Sequence, residues 1–233
     1  MASHIDNTLF GGKRFAAFLF DMDGTILTSL GIAERIWGEW AVRHGIAPES
    51  FLPTIHGVRA TETIARQNLP DVDVWAEAQS ITEAEIADVN GVEAIEGVRA
   101  FLLSLPVDRW AVVTSAPLAL AQRRIEAANL PLPRIIVAAE DVVQGKPSPE
   151  GYLLAATKLG VNASDCLVFE DAPAGVKAGN SAGSQIMVII SSNGHQNKAL
   201  TDYTGVVNYS GIFADTNNEG IQLRQTDVLF ARS

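Results

Sequence analysis

The sequence predicts an α/β fold, a doubly wound parallel sheet interrupted by a helical insert. Three observations predict it. After residue 110, short and almost wholly apolar runs alternate with segments of helical spacing. Those runs are too apolar for a half-solvated sheet and suit strands covered on both faces. Residues 31–97, by contrast, carry helical patterns and no convincing strand.

The first apolar run, Phe15-Ala16-Ala17-Phe18-Leu19-Phe20, reads as a buried strand that ends at Asp21-Met22-Asp23-Gly24-Thr25. An Asp-Gly pair behind a strand is also a common turn signal. The next segment, however, has helical spacing: Ile32, Ile36, Trp40 and Ala41 share one stripe. Helices are expected over 32–43, 61–68 and 73–89, broken at His44-Gly45, Pro48, Pro53, Pro70 and Asn90-Gly91. The acidic residues of this insert, Glu85 among them, read mostly as a solvated face. Beyond it, strand 110–114 leads to helix 118–130, and strand 134–138 to helix 149–159. Strand 167–170 leads to helix 174–182, closed by Gly183, and then comes strand 185–190. Residues 208–233 are weakly patterned, and 1–12 read as a tail.

Composition narrows the partners. A net charge of −10 over 233 residues argues against nucleic acid or an anionic membrane surface. It leaves a small anionic substrate open, because one local cation can dominate a small pocket. The single cysteine, Cys166, lies in an apolar run and reads as a buried, inert thiol, so no intramolecular disulfide forms. Neither a secretion signal nor an apolar stretch of membrane-spanning length is visible, and a cytoplasmic protein is expected.

In a parallel sheet the C-terminal ends of the strands line one edge, where ligands bind. Asp21, Thr114 and Glu170-Asp171 should therefore meet there. Two carboxylates one residue apart at a strand end are costly to bury without a cation or a proton. Their gathering with Asp171 and Glu170 suits a hard divalent cation with oxygen ligands, Mg²⁺ above others. Asp171 alone could equally cap the helix that Pro173 and Ala174 begin. Thr114-Ser115 could be a plain turn or an anion site. Gly145-Lys146-Pro147-Ser148-Pro149-Glu150 is a rigid loop that aims one lysine at the carboxylates or at a bound phosphate.

Taken in order, the four segments resemble the haloacid dehalogenase superfamily of phosphotransferases over residues 13–210. Asp21-Met22-Asp23-Gly24-Thr25 looks like its first motif, Thr114 its second and Lys146 its third. Glu170-Asp171-Ala172-Pro173-Ala174-Gly175 looks like its fourth. The resemblance implies a Rossmann-like core of strand order 3-2-1-4-5 over 13–28 and 98–215. A helical cap over 29–97 would come after the first strand, with a tail over 1–12 and a C-terminal extension over 216–233. It implies that Asp21 is the nucleophile and that Asp23 is the acid and base. Mg²⁺ would be held by Asp21, the Asp23 carbonyl and Asp171, supported by Glu170. Thr114, the Ser115 amide and Lys146 would hold the phosphoryl oxygens.

Within the superfamily, Asp23 separates the chain from dehalogenases, which lack the second aspartate. Phosphonatases use a cap lysine, and this chain has no lysine between Lys13 and Lys146. β-Phosphoglucomutases typically keep a histidine where this chain has Ala33. A closer resemblance is to sugar-phosphate, 2-deoxyglucose-6-phosphate and glycerol-phosphate phosphatases. It rests on Glu34-Arg35-Ile36-Trp37 with Trp40 and on Ile55-His56-Gly57-Val58-Arg59. Arg59 could bind phosphate or sugar hydroxyls. His56 reads as a packing residue, and His4, His44 and His195 belong to no constellation. The expectation is a monomeric, Mg²⁺-dependent phosphatase of a small phosphorylated metabolite. A β-phosphoglucomutase-like mutase is the alternative, and a non-catalytic phosphate-binding regulator is disfavoured by the intact acidic set.

Overall fold

The structure, a computed structural model, describes residues 7–190 and 200–226. His4, His195, residues 1–6 of the expected tail and residues 227–233 of the expected extension lie outside the described residues. In chain order the elements begin with β1 (Arg14–Phe15), β2 (Ala17–Phe20), β3 (Leu27–Thr28), α1 (Leu30–Arg43), α2 (Pro48–Phe51), α3 (Ala60–Ala65) and α4 (Val74–Ala87). Next come β4 (Glu93–Ala94), α5 (Val98–Ser104), β5 (Trp110–Val113), α6 (Leu118–Ala127), β6 (Ile136–Val137) and α7 (Glu150–Leu159). The chain continues through β7 (Cys166–Glu170), α8 (Pro173–Ser181), β8 (Gln185–Ile189), β9 (Gly205–Val206), β10 (Ile212–Asn217) and β11 (Gly220–Gln225).

The central sheet runs β6-β5-β2-β7-β8-β9 and every pairing in it is parallel. The expected order 3-2-1-4-5 is recovered, with β9 added at the edge beside β8. Alternation within each strand explains why both faces are covered. Phe18, Phe20, Val112, Leu167, Phe169 and Met187 point to one buried layer. Ala17, Leu19, Ala111, Val113, Val168 and Ile186 point to the other, against Tyr152 and Ala155 of α7 and Val176 and Ala178 of α8. On the first face Phe20 stacks on Phe169 at 4.5 Å, and Phe101 and Tyr209 complete an aromatic layer directly behind the strand ends. The Tyr209 hydroxyl donates to the Thr25 carbonyl at 3.0 Å, which ties this layer to the loop after β2.

Helices α1 to α4 lie between β3 and β4, and these two short strands pair antiparallel. The expectation of no strand over 31–97 therefore fails at Glu93–Ala94. Two residues are too few to show an alternation. Helix α5 is likewise an addition to the expected elements, although Val98, Phe101 and Leu102 form its buried stripe. The C-terminal segment holds a second difference. Strands β10 and β11 form a hairpin that pairs with β1 into a separate small sheet, and Thr8 bridges Arg224. The boundary expected between 215 and 216 falls inside β10. Asp215, Thr216 and Asn217 stay at least partly exposed, so they lack the apolar alternation by which a strand is read. Among the described residues no helix is long and apolar enough to cross a membrane.

Candidate active site

Parallel register brings the expected residues to one edge. Asp21 follows β2, Thr114 follows β5, and Glu170 ends β7 with Asp171 next to it. The Asp21 amide donates to the Phe169 carbonyl at 3.0 Å, so the nucleophile candidate is set by the last rung of the β2–β7 ladder.

Lys146 reaches these carboxylates from the loop before α7. Its Nζ lies 2.5 Å from Asp21 Oδ1 and 2.6 Å from Glu170 Oε1, and all three residues are buried. Tyr152 donates its hydroxyl to the same Glu170 Oε1 at 2.8 Å, and its ring centroid lies 5.3 Å from the ammonium. Glu170 Oε2 accepts the backbone amides of Asp171 and Ala172 at 3.0 and 3.1 Å. Both Glu170 oxygens are thus engaged, and in this structure Glu170 anchors Lys146 and shapes the turn that presents Asp171.

Burial sets the protonation balance. Removal from water raises the Asp21 carboxyl, Lys146 opposes that rise, and the Glu170 charge adds to it. Asp171 is raised well above the usual carboxylate range by burial and by the charges of Asp21 and Glu170. Burial would lower the Lys146 ammonium, but Asp21 and Glu170 outweigh it and push it upward, so it stays charged. Oxygen atoms of Asp21, Glu170 and Asp171 lie within 4.8 Å of one another. Three carboxylates facing one ammonium leave a deficit of positive charge, and an all-oxygen donor set fits a hard divalent cation. The Asp23 carboxylate stands outside this group.

Two glycines make the cluster possible. Gly24 has φ +84°, and a Cβ there would land on Asp171 Oδ2, while Thr25 Oγ1 donates to Asp171 Oδ1 at 3.3 Å. A Cβ on Gly175, in the first turn of α8, would land on the Glu170 carboxylate. Gly175→Ala is therefore expected to cost about 1–3 kcal/mol of overpacking, read from urea denaturation. Gly38→Ala, which meets nothing within 4 Å in the middle of α1, should instead be stabilising by about 0.5–1 kcal/mol. Equal effects at the two sites would refute the crowding at Glu170.

The remaining expected residues occupy the rim of this cluster or lie away from it. Thr114 Oγ1 accepts the Ala116 amide at 3.1 Å, which leaves its hydroxyl hydrogen to donate. Ser115 Oγ donates to the Gly57 carbonyl of the insert at 3.0 Å. Arg59, expected to meet a substrate, instead donates from Nη2 to the Val142 carbonyl at 2.8 Å and from Nη1 to the Val143 carbonyl at 3.1 Å. It clasps the insert onto the loop that carries Lys146. Gly57 lies so close to Ala172, and Gly145 to Arg59 and Glu62, that a Cβ at either glycine would come within 3 Å of its neighbour. His44 packs on Trp40 and lies 3.7 Å from Glu77, inside the insert. Cys166 is free and buried, and burial pushes its thiol up to about 12, as an inert residue requires.

Asp23 has partners that its sequence context does not announce. Its Oδ1 accepts Ser29 Oγ at 2.5 Å and Arg124 Nη1 at 2.9 Å, and Arg124 Nη2 reaches Glu85 Oε1 at 3.1 Å. Glu85 is 7% exposed and Arg124 5%, so the reading of Glu85 as part of a solvated face is corrected. A signal for both is present in the sequence. Arg124 shares the stripe of Leu120, Ala121 and Ile125, and Glu85 that of Ala78 and Ile81. A charge on an apolar stripe requires a buried partner.

Comparison with known proteins agrees with this geometry. Residues 15–183 match the family of haloacid dehalogenase-like hydrolases. The chain is 41% identical to hexitol phosphatase A of Escherichia coli K12 over 180 residues, covering 76% of this chain and 83% of that protein. It is 34% identical to 2-deoxyglucose-6-phosphate phosphatase 1 of Saccharomyces cerevisiae, covering 75% and 79%. A crystal structure of a hydrolase from Pseudomonas syringae superposes with a TM-score of 0.71 at 25% identity, over 82% of this chain and 91% of that one.

Proposed function

The chain belongs to the haloacid dehalogenase-like hydrolases, and from that membership we propose a Mg²⁺-dependent phosphomonoesterase of small sugar or polyol phosphates. The observation that carries the reading is Lys146 bridging Asp21 and Glu170, with Asp171 beside them, at the C-terminal edge of the sheet. Likeness to phosphatases of hexitol phosphates and 2-deoxyglucose-6-phosphate supports the substrate class.

The proposed chemistry has two steps. An Asp21 carboxylate oxygen attacks phosphorus, the ester oxygen departs with a proton from Asp23, and an aspartyl-phosphate forms. Asp23 then takes a proton from water, the water oxygen attacks phosphorus, and the Asp21 carboxylate is released with inorganic phosphate. Lys146 and the Thr114 hydroxyl hold phosphoryl oxygens as charge develops. Asp21, Asp171 and the Asp23 carbonyl would hold Mg²⁺, with Glu170 behind them. The ion supplies positive charge that lets a carboxylate approach a phosphate dianion. Helices between residues 29 and 97 act in this reading as a cap over a core built from 13–28 and 98–215. Arg59 uses two of its five donors on carbonyls of the Lys146 loop and would meet a substrate hydroxyl with another.

A panel of phosphate esters tests the reading through released phosphate, with hexitol phosphates, 2-deoxyglucose-6-phosphate and glycerol phosphates as the expected best substrates. Incubation with β-glucose-1-phosphate and a bisphosphate primer belongs in the same panel. Isomerisation faster than phosphate release would replace the hydrolase with the mutase, which Ala33 and the phosphatase relatives disfavour.

Metal binding should depend on pH in one direction. Burial raises the Asp21 carboxyl to about 7, so the metal-free fold binds a proton that the unfolded chain has lost. That contribution to stability is complete below the unfolded pKa of 3.8 and disappears as pH rises through about 7. A divalent cation competes with that proton. The rise in Tm on adding Mg²⁺ should therefore grow as pH rises from 5 through 7. A Mg²⁺ effect that shrinks with rising pH would contradict the acidic metal site.

A further inference from the structure

One guanidinium joins the proposed acid–base carboxylate to the helical insert. Arg124 projects from α6 and splits its fork between Asp23 Oδ1 at 2.9 Å and Glu85 Oε1 at 3.1 Å on α4. Ser29, directly before α1, adds a hydroxyl to the same Oδ1 at 2.5 Å. Both bonds to Asp23 thus fall on one oxygen, and among the described residues Oδ2 accepts no hydrogen bond. Free to choose, a guanidinium facing a lone carboxylate favours two parallel bonds, one to each oxygen. Glu85 prevents that here by occupying Nη2.

We infer that Glu85 and Arg124 are positioning residues: Glu85 holds Arg124 to a single bond with Asp23 and so keeps one Asp23 oxygen open for proton transfer. The inference rests on Asp23 being the acid and base. Its consequence is a coupling between the insert and the chemistry. Glu85 sits on α4 and Arg124 on α6, and the two helices pack on each other. When α4 is seated, the fork is divided and Asp23 Oδ2 faces the leaving group and the water. When α4 is lifted, Glu85 leaves with it and Arg124 can close on both oxygens of Asp23. The acid–base group is then engaged until the insert returns. With α4 seated, burial keeps this division strict, since water does not reach Arg124 or Glu85 to replace either partner.

The test compares an alkyl phosphate, whose departing alkoxide needs a proton, with p-nitrophenyl phosphate, whose departing phenolate does not. Glu85→Met keeps the length of the side chain and removes the acceptor. Its single-turnover rate of alcohol release from the alkyl ester should fall about tenfold or more, with KM nearly unchanged, while the p-nitrophenolate burst is preserved. Glu85→Gln, which still offers Oε1 to Nη2, should recover most of the alkyl rate. Glu85→Ala makes the same forecast as Glu85→Met should the latter not fold. Equal losses on both esters, no loss on either, or no recovery with glutamine would overturn the inference. Asp23→Asn is measured alongside. If it loses no more on the alkyl ester than on the aryl ester, the acid–base reading of Asp23 fails first. If it shows the selective loss and the Glu85 variants do not, the positioning role alone is wrong.

Discussion

Asp21→Asn should abolish phosphate release while the protein stays folded. Asparagine has the shape of aspartate and still offers an oxygen to Lys146 Nζ, now 2.5 Å away, but it cannot form the acyl phosphate. Removing a covalent nucleophile should lower kcat by roughly 10⁴-fold or more. Stability should be unharmed for a separate reason. The Asp21 charge is one that burial penalises, and Lys146 retains Glu170 at 2.6 Å as a partner, so no buried cation is stranded. Tm should therefore match the parent protein or exceed it when Mg²⁺ is withheld. Phosphate release at the parent rate would end the nucleophile assignment. Loss of activity together with loss of the cooperative unfolding transition would mean that Asp21 serves the fold instead.

The parts of the molecule legible in the sequence are those where burial is two-sided. β2, β5, β7 and β8 are apolar at nearly every position because both faces of the sheet are covered, so their existence and their parallel sense can be read directly. Once the strands are parallel, Asp21, Thr114 and Asp171 fall at one edge without further information. Lys146 comes from a loop rather than a strand end, and what aims it in the sequence is the pair of prolines that follows it, together with the family resemblance. The illegible parts depend on contacts between distant segments. β10 is largely exposed and pairs only with β11, while the mostly buried β11 also pairs with β1, some two hundred positions earlier in the chain. Arg124 and Glu85 each sit on the apolar stripe of their own helix, which calls for a buried partner without naming it. Only the packing of α4 on α6 makes them partners, and of the two only Arg124 bonds Asp23. Arg59 shows the reverse case. Its residue type suits a phosphate or a hydroxyl, but backbone carbonyls at Val142 and Val143 suit the same fork.

Lys146 carries the second large effect, and it falls on stability as well as on activity. Its ammonium is the cation shared by two buried carboxylates, and Lys146→Met would leave Asp21 and Glu170 facing each other with no cation between them. Stranding buried charge by deleting one partner costs about 3–5 kcal/mol, so the metal-free variant should unfold at markedly lower urea. The loss should also depend on pH. Without Lys146 the Asp21 carboxyl, already raised by burial, loses the cation that opposes the rise and is pushed further above its unfolded value, so the folded state holds a proton that the unfolded chain releases. Stability lost at neutral pH should then return on acidification toward the ordinary carboxylate range. A double variant, Lys146→Met with Glu170→Gln, discriminates between lost charge and lost shape. It removes the second unpaired charge and leaves a side chain of equal size, so it should be more stable than Lys146→Met alone, with a coupling of about 1–3 kcal/mol in the double-mutant cycle. Activity should return in neither variant if Lys146 holds the phosphoryl oxygens as proposed. Additive losses, with no coupling between Lys146 and Glu170, would show that lysine contributes packing rather than charge.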